Sequence, residues 1–300
     1  IGWQLFGAGR YFGTYVVVAA TITCGYIHCA AGCAGIAVVI ESAELMQAFL
    51  EARKLTVAIG GKLICRELDM MIRPGECWGV LGQNGVGKTT LLRTLAGLHT
   101  PQAGMVSWNG VALAAHARRS LAQNIGVLLQ NEGGEFWGSV QEYVLLGRFP
   151  HRASLFGYSV QDEALVQQAL AQMALEGLAQ RPYNTLSGGE QQRAAIAQAL
   201  AQQAQCYLLD EPLQHLDLRH QAQTMQVFSQ LKEQGCALMV VLHDTLWAQR
   251  CCDHVLLLFA DGHALHGAAH GVQRQSLHHQ QQHPVHLDPG LHAGIWRSRG

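Results

Sequence analysis

At 300 residues and 49% hydrophobic content, the chain is long enough for one large α/β domain or two small ones. A formal net charge of -1 lacks the basic footprint that nucleic-acid binding requires, so no nucleic-acid partner is expected. Nine cysteines without paired spacing read as reduced thiols, not as a disulfide framework, and the vicinal Cys251-Cys252 reads as packing.

From Tyr11 to Ile40 no Asp, Glu, Lys or Arg occurs, a length sufficient to span a bilayer. The stretch lacks the layout of a secretory signal, and Met46 reads as a natural start. Residues 1–45 are therefore expected to be an in-frame upstream or poorly ordered leader, with a membrane anchor as the alternative. Cys24, Cys29, Cys33 and His28 match no zinc spacing. Strands are predicted at Leu50–Ile59, Leu68–Ile72 and Trp78–Leu81, then a helix over Thr89–Ala96 closed by Gly97. A strand follows at Ile125–Gln130, with helical patterns at Val140–Leu146 and Gln161–Ala179. Next come strand Cys206–Leu209, a helix over about Arg219–Gln234, and strands Ala237–Leu242 and Val255–Phe259. Short apolar runs separated by helices predict a parallel sheet covered on both faces. The end of the chain, residues 268–300, is a His/Gln-rich tail expected to carry no chemistry.

Between the third strand and the first helix lies Gly82-Gln83-Asn84-Gly85-Val86-Gly87-Lys88-Thr89, the G-x-x-x-x-G-K-[ST] phosphate loop, continued by Thr90. Its glycines let successive N–H groups point at phosphate oxygens. Lys88 supplies a charge to the β/γ-phosphates, and the Thr89 hydroxyl can ligate Mg²⁺. The chain is therefore expected to bind a nucleoside triphosphate. Gln130, Asp210, Glu211 and His243 stand at other strand ends, and in open α/β sheets ligands bind outside that edge. Asp210 is suited to holding Mg²⁺ and Glu211 to activating water. Gln130 suits the metal or the lytic water, and His243 suits sensing the γ-phosphate. Ser187, three residues before Glu190, predicts a capping box, with Gly188 and Gly189 exposing the first N–H groups of an Ala-rich helix. This second phosphate-binding surface has no lysine and no metal ligand. Two such chains meeting head to tail would complete a site.

Leu186–Arg193 resembles the LSGGQ signature of ABC-type ATPases, with Glu190 where Gln is usual. The order phosphate loop, Gln130, signature, Asp210-Glu211, His215-Leu216-Asp217 and His243 is similar to that family over about Phe49 to Gly267. The resemblance implies an α/β P-loop NTPase (RecA-like) core with a parallel sheet, a small antiparallel β subdomain and a helical signature subdomain. The ATPase domain is expected at 46–267 and its helical subdomain at about 131–190. It implies ATP and Mg²⁺ as cofactors, with Lys88, Gln130, Glu211 and His243 catalytic, and Thr89, Gln130 and Asp210 holding the metal. Gly82 to Thr90 and Asp217 would bind nucleotide, as would Ser187, Gly188 and Gly189 acting from the partner in a homodimer. The aromatic residue that stacks on adenine in the family falls near Ala58 or Ile59, and neither is aromatic; Leu213-Gln214 replaces the usual Thr-Asn.

Leu145–His151 looks like the GRxPH stretch of ATPases serving ferric-siderophore, haem and cobalamin importers. That likeness implies a peripheral subunit on the cytoplasmic side of the cell membrane. Permease subunits would dock on Phe136–His151, with a solute-binding protein acting indirectly. The alternative is a soluble ABC-type ATPase acting as a nucleotide switch without a permease.

Overall fold

The computed structural model describes residues 49–129, 136–152 and 157–269. Expectations for the leader, for Gln130 and for the His/Gln-rich tail lie outside them. Strands β1 (Leu50–Ile59), β2 (Lys62–Ile72), β4 (Ala103–Trp108) and β5 (Val111–Ala112) form an antiparallel sheet in the order β2-β1-β4-β5. A second sheet runs β10-β9-β3-β8-β7-β6. It contains β3 (Cys77–Gly82), β6 (Ile125–Leu128), β7 (Cys206–Leu209), β8 (Ala237–Val241), β9 (His254–Leu258) and β10 (Ala264–Ala268). All its pairings are parallel except β9 with β10. β7 and β8 are buried along their whole length, as strands covered on both faces must be.

Helix α1 (Lys88–Leu95) touches both β1 and β3, and its Leu91, Leu92 and Leu95 join a core containing Leu55, Val57, Ile64 and Val106. Fully burying each leucine contributes roughly 1.5–3 kcal/mol. This packing sets the phosphate loop at the seam of the two sheets. The remaining helices are α2 (Arg118–Asn124), α3 (Val140–Leu145), α4 (Val160–Gln172), α5 (Gly188–Ala201), α6 (Leu218–Glu233) and α7 (Thr245–Cys251). Of these, α3, α4 and α5 pack on one another through Val144, Val166, Leu170 and Ile196.

Several predicted bounds are corrected. The second strand begins at Lys62, not Leu68; a left-handed Glu67 (φ 48°) and register shifts in its pairing with β1 interrupt its alternation. The helix expected to reach Ala179 stops at Gln172, because Ala174 turns left-handed (φ 52°) and a 3₁₀ turn over Glu176–Leu178 follows. The strand expected to reach Gln130 ends at Leu128. Strands β4, β5 and β10 and helices α2 and α7 were not predicted; β4 is exposed over its first half and shows no alternation there. Cys252 packs its sulfur 3.7 Å from that of buried Cys77, so the vicinal cysteine is core material.

A buried ion pair joins the helices. Arg148, in a 3₁₀ turn over Leu146–His151, donates from Nε to Asp162 at 2.8 Å and from Nη1 to the carbonyls of Ala201 and Gln202 at 2.9 and 3.1 Å. Burial alone would raise the Asp162 pKa, but the Arg148 bond and the Ser159 N–H and hydroxyl outweigh it and hold the carboxyl at about 2. A depressed carboxyl pKa stabilises the fold above the unfolded value near 4, and that stability is lost as pH falls towards 2. Thermal melting at pH 5 and pH 3 should therefore show a loss on acidification that is smaller in Asp162→Asn. An equal loss in both proteins would rule the pair out as its source.

Candidate functional site

Strand order explains why distant residues meet. β8 lies between β3 and β7, so the segments following these three strands are neighbours on the carboxyl edge. They carry the phosphate loop, Asp210-Glu211 and His243. The loop turns through a Val86 N–H to Gln83 carbonyl bond of 3.2 Å. Gly87 then enters α1 at φ 116°, and a Cβ there would stand 2.7 Å from Ile64 carbons, so a side chain is excluded twice over. α1 has no acidic residue in its first turn, leaving the positive end of the helix towards the loop.

Lys88 is only 5% exposed, and its ammonium folds back to donate to the Gly82 and Gln83 carbonyls at 2.9 and 3.3 Å. Burial lowers its pKa, against the attraction of the Glu211 and Asp210 carboxylates. The Thr89 hydroxyl donates to Asp210 at 2.5 Å although 121 residues separate them, and Asp210 is 2% exposed. One residue on, Glu211 Oε1 lies 2.7 Å from His243 Nε2. Glu211 is held left-handed at φ 49°, which costs about 1–3 kcal/mol for a residue with a side chain.

These groups surround a cavity of about 350 Å³ lined by Asn84, Gly85, Gly87, Lys88, Thr89, Thr90, Glu211, Gln214 and His243. Gly82, Gln83 and Val86 are not in that lining, and Val86 turns its side chain into the core. Gln214 was missed by sequence reasoning. Its position, three residues past the strand-end Glu211, was the available signal.

Ser187, Gly188, Gly189 and Asp217 do not line the cavity either. Ser187 caps α5 in a capping box, donating its backbone N–H to Glu190 at 2.7 Å and accepting at its hydroxyl from the Glu190 N–H at 3.4 Å. The Ser187 N–H and hydroxyl lower the Glu190 pKa. Asp217 caps α6, accepting from the His220 N–H at 2.8 Å. The signature serine is exposed.

A buried lysine, a Thr–Asp pair and a Glu–His pair thus stand together on one sheet edge. The family described as ABC transporter matches residues 65–214. The ferric enterobactin transport ATP-binding protein FepC of Escherichia coli is 38% identical over 210 residues, 70% of this chain and 78% of that protein. This chain belongs to the ABC transporter ATP-binding family. A hemin import ATP-binding protein, HmuV of Pseudomonas entomophila, is also 38% identical, over 74% of this chain and 86% of its own. Among solved structures, a dimeric bacterial ABC transporter cassette superposes with a TM-score of 0.66 at 27% identity, covering 74% of this chain and 99% of that one. The chain is thus an ATP-binding, ATP-hydrolysing subunit of the ABC type with the P-loop NTPase fold. No helix among the described residues is long and apolar enough to cross a membrane.

Proposed function

We propose that this ABC ATPase energises uptake of an iron chelate, haem or cobalamin through a separate permease, from the cytoplasmic face of the cell membrane. The observation that carries the hydrolytic part is the grouping of Lys88, Thr89, Glu211 and His243 around one cavity, with Asp210 bonded behind Thr89. The importer part is supported by relatives whose names specify ferric enterobactin and hemin.

ATP lies with its phosphates on the loop, Lys88 leaving the Gly82 and Gln83 carbonyls for the β/γ-phosphates. Thr89 and Asp210 present hard oxygen donors within 2.5 Å of each other, a donor set that suits Mg²⁺ completed by phosphate oxygens. Mg²⁺ bound there would neutralise phosphate charge. Glu211, oriented by His243, accepts the proton of the attacking water as its oxygen bonds the γ-phosphorus; the bond to the β-phosphate oxygen breaks, leaving ADP and phosphate. His243 registers the loss of the γ-phosphate, and Gln130, outside the described residues, would suit the metal or the water. Ser187, Gly188 and Gly189 reach the nucleotide of a second copy, where Asp217 also lies near it.

That arrangement has a direct test. Lys88→Ala and Ser187→Arg chains should each hydrolyse ATP poorly alone, yet regain activity when mixed, because one composite site in the mixed dimer is intact. No recovery would sink the in-trans reading. The docking surface is the region Phe136–His151, where Trp137 is 76% and Phe149 64% exposed and Arg148 is buried. The solute-binding protein engages the permease, not this chain. Co-expression with candidate permeases, followed by purification and vesicle uptake of a ferric siderophore, haem or cobalamin, tests the importer reading. Full ATPase activity with no permease partner would favour a permease-independent nucleotide switch.

A further inference from the structure

The loop that carries Glu211 is conformationally costly and is held from outside itself. Both Glu211 (φ 49°) and His215 (φ 62°) are left-handed, a region disfavoured for residues with side chains. Within it, the Gln214 N–H reaches the Glu211 carbonyl at 3.1 Å and the Leu216 N–H the Leu213 carbonyl at 3.4 Å. Two side-chain amides from flanking helices also hold it. From α6, Gln221 Nε2 donates to the Leu213 and Leu216 carbonyls at 3.4 and 3.0 Å. From α5, half-buried Gln192 Nε2 donates to the Glu211 and Pro212 carbonyls at 3.4 and 3.1 Å.

α5 meets this loop a second time. A Cβ on Gly189 would come within 2.9 Å of the His215 carbonyl oxygen, so the first turn of the helix lies directly on the loop. Gly189 and Gln192 belong to the same end of α5 as its cap, Ser187. Glu211 therefore has its backbone gripped by α5 and its carboxylate by His243.

We infer that Gln192 is a positioning residue: its amide makes the placement of the Glu211 carboxylate depend on the placement of the signature helix. A shift of α5, whether from a second copy closing on Ser187 or from the helices packed behind it, is passed through Gln192 to the residue that activates water. The inference rests on the assignment of Glu211 as the base. A neutral donor of this length is needed, since two carbonyl oxygens share one amide nitrogen; a carboxylate would repel both.

The test is steady-state ATP hydrolysis by the full chain carrying Gln192→Met, which keeps the length and removes the donor. The expected result is a fall in kcat of about 10- to 100-fold with KM for ATP within about twofold. Gln192→Glu should give the same split, which keeps the test open if the first variant does not fold. In a Glu211→Gln background, Gln192→Met should cost little more in single-turnover hydrolysis, because both act through one group. Unchanged kcat, a rise in KM alone, or an undiminished loss in the Glu211→Gln background would each overturn the role of Gln192. If Glu211→Gln alone leaves turnover unchanged, the base assignment itself has failed, which is a separate result.

Discussion

Glu211→Gln is expected to lower the steady-state rate of ATP hydrolysis by about 10²–10⁴-fold, the usual contribution of a positioned general base. The substitution preserves shape and the capacity to meet His243, which lies 2.7 Å from the carboxylate. In the proposed mechanism it removes only the basicity that takes up the proton of the attacking water. Lys88, Thr89 and Asp210 are untouched, so nucleotide affinity should stay near that of the parent chain. The trapped ATP form should accumulate as a dimer, visible as an earlier elution with ATP than without it. Turnover within a factor of two of the parent would refute the assignment, and so would loss of ATP binding together with hydrolysis.

The second large effect concerns stability. Arg148→Met leaves the Asp162 carboxylate buried without its guanidinium, and abandons the Ala201 and Gln202 carbonyls at the end of α5. Breaking one partner of such a pair costs about 3–5 kcal/mol. In a domain of this size each kcal/mol moves the melting midpoint by about 2–4 °C, so a fall of roughly 10 °C is expected. Replacing both partners by apolar residues is often near neutral, so Arg148→Met with Asp162→Leu should recover much of the loss. A melting midpoint within about 2 °C of the parent in the single variant would show that water reaches the pair. The pair has a mechanical consequence as well. It fixes the 3₁₀ turn that carries exposed Phe149 to the carboxyl end of α5, whose other end carries Ser187 and Gln192.

Much of this site is local chemistry. Gly82 to Thr89 is one uninterrupted stretch between an apolar strand and a helix, and the capping box of Ser187 and Glu190 spans a single turn. Such motifs are legible because every interaction they need is a few residues away. The strand ends at Asp210 and His243 were legible for a related reason: a strand buried on both faces is a continuous apolar run, so its polar end stands out. β4 and β10 were not, because edge and half-exposed strands lack that contrast.

Sequence by itself thus determined the phosphate loop, the acids after β7, the α5 cap and the α/β class, since each follows from backbone geometry and apolar periodicity over short spans. Tertiary structure alone decided that Thr89 bonds Asp210, that Glu211 is left-handed and faces His243, that Arg148 is a buried anchor, and that Gln192 holds the Glu211 backbone. The reason is physical: these contacts depend on the order of strands in the sheet and on which helix lies over which loop. Those choices are made by packing between segments far apart in the chain, and no local pattern records them.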